Sequence, residues 1–520
     1  MKNIFTFDFA SVGGSSIYDN DKQLNYKEIT KFGKVVHWLD GRHYDSNELE
    51  KYRKVGDFEM DNLLELIICH HFQNKEHDVT TLPSFRFFDV IDACTKVYRA
   101  SQGNDLTCRV KRNDMEKAMI NFYDHYYNDI PDWVDWDQLQ RGIDVFITYT
   151  PVMGLSLYYL SLVPGFSIPK IAQVLKHTQY LAPPSTNKQV QRRLLDTGGF
   201  IMSCMVKNIP ENDNSKYVDN DRWLSAASLR PGGIGWQMAL RVRVLHAKVR
   251  RNLLSRDDWN KEKFGIPINQ EDMAATLLAF SVNALSGVEF AANQSLSKED
   301  QLDYLALWRY IGWLLGVSLH IDPCGPGQNN NIFPSDPVIH SRAMLESIII
   351  HLMHPDELSS IISNHLLRVG RSEANPNTDS TTYHKNESFG YLYRSFMCRT
   401  MIGNELANAL TIPSLSVHSF RHIRAYLLAK TVMLAFRVYT LLTMYIPWFR
   451  YFVYKLHMRM IDKSFSSWSK ENGTRISKMS RDAMTKNEND SYSKSCPFSY
   501  VMLSSGQNGG DITIAKKKQM

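Results

Sequence analysis

The chain has 520 residues, of which 43% are hydrophobic and 22% are charged. This is the composition of an ordinary globular protein, and it excludes a chain disordered throughout, a collagen-like repeat and a coiled-coil rod. The net charge of +6 comes from 60 basic and 54 acidic residues, a balance that does not indicate nucleic-acid binding. Aromatic residues reach 12%, which suits a large core or an apolar ligand pocket.

The seven cysteines indicate a chain that faces the reducing cytosol. Their number is odd and no two are spaced as C-x-x-C, so no disulfide framework is predicted. The motif C-x-x-C-H is absent from the sequence as well, which excludes c-type covalent haem attachment. Asp8 interrupts the first apolar run too early for a secretory signal.

Helical periodicity is the main structural signal along the chain. Residues 1–50 are mixed and polar, and we expect an irregular lead-in there. Apolar residues then recur at spacings of three and four residues, which predicts helices. Asp135 is a candidate helix cap, and Pro151 and Gly154 interrupt the apolar run 145–162. The predicted helices cover 57–68, 115–127, 169–180, 188–207, 236–254, 271–285, 303–319, 341–368 and 389–410. No segment shows a clear alternation of apolar and polar residues that would predict a strand, so the predicted fold class is all-α.

The segment 416–461 is hydrophobic and basic. Lys430, Arg437 and Arg450 interrupt it, and its longest uncharged run is the 12 residues 438–449. A spanning helix needs about 20 mainly apolar residues. Two interpretations stay open: a helix or helical hairpin lying in a membrane interface, with basic side chains reaching the headgroups, or a buried core helix. Residues 462–520 are rich in Ser, Asn and Lys, and we expect a polar disordered tail.

The best candidate for chemistry is the basic run 241–251. The motifs of zinc proteases, P-loops, dinucleotide-binding folds and serine hydrolases are absent. On a helix, Arg243, His246 and Arg250 share one face. The two arginines would keep His246 neutral and able to ligate a metal, and their guanidinium groups would suit haem propionates. The alternative is a basic surface helix with an incidental histidine.

The order of motifs over roughly residues 50–415 resembles the rubber oxygenase (latex-clearing protein) and MpaB-type oxygenase family. Each motif alone is weak, and their order is fairly specific. The motifs are Gly56-Asp57 with Asp61, 131–136 with Arg141-Gly142, 161–163 with Gly165-Phe166, Val174-Leu175 with Thr178 and Tyr180-Leu181, 193–197, 241–251, 265–272 with Thr276, 308–312 with Gly316, and 403–407 before Ile412-Pro413.

The resemblance implies a helical catalytic domain at 51–415 whose globin-like core holds haem b. It makes His246 the proximal ligand of the haem iron. It also places the hydroxyl of Thr276 near the haem. Arg193 and Thr197 match the distal arginine and threonine of the rubber oxygenases. We therefore expect His246, Arg243, Arg250 and Thr276 to bind the cofactor, and Arg193, Asp196 and Thr197 to act in catalysis.

The sequence departs from the family at position 196. Rubber oxygenases have a lysine there that can ligate iron in a closed state, and this chain has Asp196. A carboxylate will not reproduce that cap. Asp196 could supply the acid/base function or could pair with Arg193. The family's distal glutamate has no clear counterpart, and His177 could assist or could be a surface or core histidine.

The sequence therefore predicts a haem-b-dependent oxygenase for an apolar isoprenoid or lipid-like substrate and O₂. By resemblance, the reaction is oxidative cleavage of a C=C bond. We expect a membrane-associated, cytosol-facing protein of the endoplasmic reticulum, without nucleic-acid partners and with the need for a reductase left open. The alternative is a catalytically inactive, membrane-peripheral helical protein that binds lipid or haem or serves as a scaffold.

Overall fold

The computed structural model describes residues 26–73, 89–102, 113–205, 226–327, 336–369 and 388–472. Across these ranges the chain is built from helices, with one two-stranded hairpin, β1 (Lys27–Lys31) and β2 (Lys34–Trp38). The predicted all-α class is therefore confirmed.

The N-terminal part is more regular than the sequence predicts. Strands β1 and β2 pair antiparallel with Lys31 opposite Lys34. Phe32 and Gly33 between them have φ of 52° and 75°, the left-handed pair that a two-residue hairpin turn requires. Helix α1 (Ser46–Arg53) begins with a capping box. The expectation of an irregular lead-in is wrong for residues 26–50, because five-residue strands are too short to give a clear alternation; residues 1–25 lie outside the described ranges.

The helices of the first half follow in chain order. They are α2 (Phe58–Gln73), α3 (Asp89–Gln102), α4 (Asp114–Asn128), α5 (Trp136–Leu155), a π-helix (Ser156–Leu162), α6 (Val163–Gly165), α7 (Pro169–Thr178), α8 (Asn187–Met205), α9 (Ile234–Leu254) and α10 (Lys261–Phe264). Asp135 caps α5 as predicted, since its side chain accepts from two backbone N–H groups of the first turn. Helix α3 was not predicted.

The second half adds nine helices within the described ranges. They are α11 (Gln270–Phe280), α12 (Val282–Ala292), α13 (Lys298–Leu314), α14 (Pro337–Leu352), α15 (Glu357–Leu367), α16 (Phe389–Ile402), α17 (Asn404–Ala409), α18 (Phe420–Tyr445) and α19 (Pro447–Asn472). The predicted helix 271–285 is divided at Ser281, whose backbone is non-helical. The predicted helix 341–368 is divided ahead of Asp356, which caps α15.

Helix α5 lies at the centre of the molecule. It packs on α13 so closely that a Cβ at Gly142 would lie 2.3 Å from the carbonyl oxygen of Asp303. It continues through Pro151 with a kink at Tyr149 and passes into the π-helix. One apolar core lies between α2 to α5, α9 and α11 to α13. A second lies between the π-helix, α15, α16 and α18.

Helices α18 and α19 form a hairpin over the predicted segment 416–461. The inner face of α18 is buried, and its outer face carries exposed apolar side chains. The buried inner face accords with the core-helix interpretation, and the membrane-interface interpretation stays a prediction for the outer face. Helix α19 continues to Asn472, so the expected tail is helical at 462–472; residues 473–520 lie outside the described ranges.

Three helical stretches among the described residues have the length and hydropathy to cross a membrane. In the apolar 18-residue windows of Trp136–Gly165 and Gln270–Ala292, 89% and 72% are buried inside the molecule. In the corresponding window of Phe420–Tyr445 only 28% is buried. The first two are therefore the core of the fold, and the third is mainly a surface helix.

Candidate functional site

Helix α9 carries His246 between two arginines that the fold buries. Arg243 is 3% exposed and Arg250 is 1% exposed, whereas His246 is half-buried. The spacing of three and four residues aligns the three side chains along one stripe, as the sequence predicts. This stripe faces helix α2.

Arg243 forms a bidentate ion pair with Asp57. Its Nε lies 2.6 Å from Asp57 Oδ2 and its Nη2 lies 2.8 Å from Asp57 Oδ1. Nη2 also lies 2.8 Å from Glu59 Oε2, and the guanidinium stacks on the ring of Tyr126. Burial alone would lower the pKa of Arg243, but the nearby carboxylates, Asp57 first, hold it well above its ordinary value.

Arg250 is held in the same way one turn further along α2. Its Nε lies 2.8 Å from Asp61 Oδ2, and its Nη1 donates to the carbonyl oxygen of Ile268 at 2.7 Å. Two further pairs join the same surfaces: Arg251 with Glu65, and Arg241 with Asp92 of α3. Four arginines thus fix α9 to α2 and α3.

Two glycines of the family motifs enclose these ion pairs. Gly316 has φ of 85°, and a Cβ there would lie 2.5 Å from both Arg243 Nε and Asp57 Oδ2. A Cβ at Gly56 would lie 3.0 Å from Asp61 Oδ2. Gln270 connects the two glycines, because its Nε2 donates to both of their carbonyl oxygens. The scattered motifs therefore meet in one buried network.

This network changes the interpretation of the two arginines. Both guanidinium groups already have carboxylate partners, so binding haem propionates would require those pairs to open. The cofactor-binding role of Arg243 and Arg250 stays a prediction, and the structure gives them a role in fixing α9. The sequence could not show this, because Asp57 lies 186 residues away from Arg243 along the chain.

His246 is neutral at physiological pH. Burial is the main cause and the charge of Arg250 adds to it, so the pKa falls to about 4. Its Nδ1 is buried and has no hydrogen-bond partner in the part of the chain that the structure describes. An unpaired buried imidazole nitrogen is costly in a folded protein and is a candidate ligand atom. A metal-binding histidine usually donates its other ring N–H to a carboxylate or a carbonyl oxygen, and no such partner of His246 is found among the described residues.

Thr276 lies on α11 and is exposed. Its Oγ1 donates to the carbonyl oxygen of Asp272 at 2.7 Å. Helix α11 packs mainly on α1, α12 and the π-helix. The structure thus gives Thr276 a local contact within its own helix, and its position beside a haem stays a prediction.

The predicted distal residues form a cluster on α8, which packs alongside α9. Arg193 lies 4.9 Å from the centre of the Tyr180 ring, and its Nη1 lies 3.9 Å from Asp196 Oδ2. Thr197 Oγ1 donates to the carbonyl oxygen of Arg193. Burial raises the pKa of Asp196, and Arg193 only partly opposes this. Tyr180 is a fourth member that the sequence did not single out as a site residue.

His177 lies on α7 and has partners outside the α8 cluster. Its Nδ1 lies 2.8 Å from the carbonyl oxygen of Gln173, and its Nε2 lies 3.7 Å from Asp258 Oδ2. Its ring meets that of Trp259 edge to face. These contacts favour the interpretation of His177 as a packed structural histidine.

The sequence missed a buried charge cluster that joins α7 to α11. Lys170 forms ion pairs with Glu271 and with Asp272, and all three side chains are buried. Burial lowers the pKa of Lys170 and raises that of Asp272. The only available signal was the pair of acidic residues at the start of α11, which reads as ordinary helix capping.

A multi-ligand metal site is not found within the described ranges: no group of three or more His, Cys, Asp and Glu side chains could hold an ion there. A haem iron needs only one axial side chain from the protein, so this finding does not bear on His246.

Comparison with known proteins gives one family. Residues 153–323 match the family described as "ER-bound oxygenase mpaB/B'/Rubber oxygenase, catalytic domain". A solved structure of latex clearing protein LCP in the closed state is similar to this chain at a TM-score of 0.45 and 15% identity, covering 79% of this chain and 93% of that one. That likeness is too distant to transfer any residue.

No curated protein matches the chain. The matched segment contains every site residue predicted from the sequence, from Arg193 to Thr276, and so confirms the resemblance for that part of the chain. Residues 153–323 are therefore similar to the catalytic domain of ER-bound oxygenase mpaB/B' and rubber oxygenase.

Proposed function

We propose that the chain is a haem-b-dependent oxygenase that acts on an apolar isoprenoid or lipid-like substrate with O₂, by oxidative cleavage of a C=C bond. The observation that carries the proposal is the neutral imidazole of His246, whose buried Nδ1 has no partner among the described residues. It lies on a helix inside the segment that matches the oxygenase family.

The residues fit an axial ligand better than they fit a propionate clamp. His246 is neutral, and its helix is fixed by the ion pairs of four arginines, so its ring would be held in place without further ordering. Arg243 and Arg250 are paired with carboxylates instead. We therefore assign His246 to the iron, and Arg243 and Arg250 would reach haem propionates only if their carboxylate pairs opened.

A bound haem would supply O₂ binding and activation at its iron. The chain's own part is to bind, orient and move protons. Asp196 can carry a proton on its carboxyl group, because burial raises its pKa and its contact with Arg193 is long. Arg193 and Thr197 would orient polar groups beside it. Tyr180 holds the Arg193 guanidinium against its ring.

We place the protein at the cytosolic face of the endoplasmic reticulum membrane. The family description includes an ER-bound oxygenase, and α18 presents an apolar outer face. An apolar substrate dissolved in a bilayer would reach such a protein without crossing water. The need for a reductase is left open.

The first test is the absorption spectrum of the purified full-length protein. A Soret band is expected for wild type, and His246→Ala should lose it or shift it while the helix content is retained. His177→Ala is the matched control, because it removes a helical histidine with assigned partners and should leave the band unchanged. Full haem occupancy and an unchanged spectrum in His246→Ala would contradict the assignment.

The second test separates an enzyme from an inactive haem or lipid binder. Oxygen consumption should rise when a polyprenyl substrate is added to the haem-loaded protein. Asp196→Asn should keep the Soret band and lower that rate by about 10²-fold, the range of a positioned acid/base group. A haem protein that never consumes oxygen with such substrates would favour the inactive alternative.

A further inference from the structure

The hairpin of α18 and α19 exposes more apolar surface than its role in the core explains. Its inner face packs on α12 and α16, and its outer face has large apolar side chains along both helices. These exposed side chains are Leu427, Leu428, Val438, Leu442, Tyr445, Trp448, Tyr451, Phe452, Leu456 and Met460. Monomeric soluble proteins rarely leave so many large apolar groups together in water, and such a surface marks a docking site.

Aromatic residues gather at the corner of the hairpin. Tyr445 ends α18, and Trp448, Tyr451 and Phe452 follow in the first turns of α19. Their exposed fractions are 67%, 69%, 63% and 54%. Tyrosine and tryptophan are enriched at the boundary between headgroups and acyl chains, where one part of the ring is apolar and the other wet. The corner therefore has the composition of a membrane-interface belt.

The charge of this region selects the kind of surface. Residues 406–461 contain seven Arg and Lys residues and no Asp or Glu. Arg421, Arg424, Lys455 and Arg459 are exposed beside the apolar face. A second copy of the chain would bring the same positive charge to a self-contact, which disfavours self-association. An anionic lipid surface complements both the charge and the apolar side chains.

The hairpin is held to the body by its inner face. Arg437 Nε donates to the carbonyl oxygen of Ala291, and Arg450 pairs with Asp300 through two nitrogens. His457 Nδ1 lies 2.8 Å from the carbonyl oxygen of Ile147, which Pro151 leaves without its helical donor. A helix that crossed a bilayer would have to give up these contacts.

We infer that the α18–α19 hairpin is a monotopic anchor: it lies in the interface of an anionic bilayer, inserts its aromatic corner, and does not span. This inference rests on the membrane association proposed above and defines its surface, its lipid class and its depth. It is independent of haem binding, so its failure would leave the His246 assignment intact.

The first experiment is flotation of the full-length protein with vesicles. Vesicles of phosphatidylcholine and phosphatidylserine should float the protein about tenfold better than phosphatidylcholine alone, since each basic group near an anionic surface adds to binding. High salt should weaken binding without abolishing it, because the apolar part is not screened. Equal binding to both vesicles, or none, would overturn the inference.

Variants locate the contact. Trp448→Ser/Tyr451→Ser/Phe452→Ser should lower flotation with anionic vesicles at least about tenfold. The matched control is Leu319→Ser/Ile361→Ser, which removes exposed apolar side chains elsewhere and should float like wild type. Lys455→Gln/Arg459→Gln should lower binding only to anionic vesicles. Circular dichroism of each variant checks folding, and the lipid and salt dependence of wild type tests the inference without any variant.

The depth of the hairpin in the bilayer distinguishes a helix that lies in the interface from one that spans the membrane, and from a hairpin covered by protein. Quenching by nitroxide lipids should be strong for labels near the headgroups and weak at the bilayer centre, and Trp448→Phe should remove most of the quenched tryptophan signal. Strong quenching at the bilayer centre, with resistance to alkaline carbonate, would mean that α18 spans. A stable dimer that masks the hairpin and no longer binds vesicles would mean that a second copy covers it.

Discussion

Helix α9 and the α18–α19 hairpin share a pattern of basic and apolar residues, but the fold surrounds their basic side chains differently. Both place Arg and Lys at helical intervals among apolar residues. In α9 four arginines pair with carboxylates in or beside α2 and α3, and two of them, Arg243 and Arg250, are buried. In the hairpin several basic residues point outward beside exposed apolar side chains, and residues 406–461 contain no carboxylate of their own.

The pKa values record the same difference. Burial would lower the pKa of Arg243, but Asp57 and its neighbours hold it well above its ordinary value. Burial lowers the pKa of Arg437 and of Lys430 in α18. Carboxylates brought by the fold thus fix α9 in the core, whereas the exposed basic residues of the hairpin belong to the membrane contact proposed above.

The largest effect is expected from Asp57→Asn. This change leaves the buried guanidinium of Arg243 with only the half-exposed Glu59, so the free energy of unfolding should fall by about 3 kcal/mol. Chemical denaturation measures it. The matched control is Asp258→Asn, which removes a carboxylate from the exposed pair with Arg256 and should cause no measurable change. A loss as small as the control's would mean that the α9 network is not structural.

The next largest loss of stability is expected from Gly316→Ala. A Cβ there would meet both partners of the Arg243–Asp57 pair, and φ of 85° is unfavourable for alanine. We expect a loss of about 2 kcal/mol in the free energy of unfolding. Gly165→Ala is the control, because nothing lies within 4 Å of a Cβ at Gly165. Equal stability of the two variants would show that the network relaxes around the added methyl group.

Arg450→Ala tests the hairpin side of the comparison. Its pair with Asp300 is partly exposed, with side-chain exposures of 38% and 16%. After discounting for solvent, the loss should be about 1 kcal/mol or less. The exposed residue Lys455 provides the control, as Lys455→Ala should leave the free energy of unfolding unchanged. A loss as large as that of Asp57→Asn would remove the distinction between the two regions.

The smallest effect concerns Lys430 and pH. Since burial lowers its pKa in the fold, the unfolded chain binds more protons between the folded pKa and the ordinary value near 10.4. The unfavourable contribution of the charged amine is complete at neutral pH and disappears as pH rises through this window. Lys430→Met should therefore be slightly more stable than wild type at pH 7. The gain should shrink towards pH 10.5, and a gain independent of pH would contradict the proton linkage.

The sequence determined what depends on short-range periodicity. The helical class followed from apolar residues spaced three and four residues apart. The stripe of Arg243, His246 and Arg250 followed from the geometry of one helix. The family resemblance also came from the sequence, through the order of its motifs. The five-residue strands β1 and β2 were missed, since their alternation is too short to stand out.

Only the tertiary structure decided which partners these residues meet. The pairing of Arg243 with Asp57 joins helices 186 residues apart, and no local pattern encodes such a contact. Helix α18 is apolar on most sides, so its sequence could not say which face is buried. Packing against α12 and α16 decided this, because burying one face satisfied the core and left the other to solvent or to lipid.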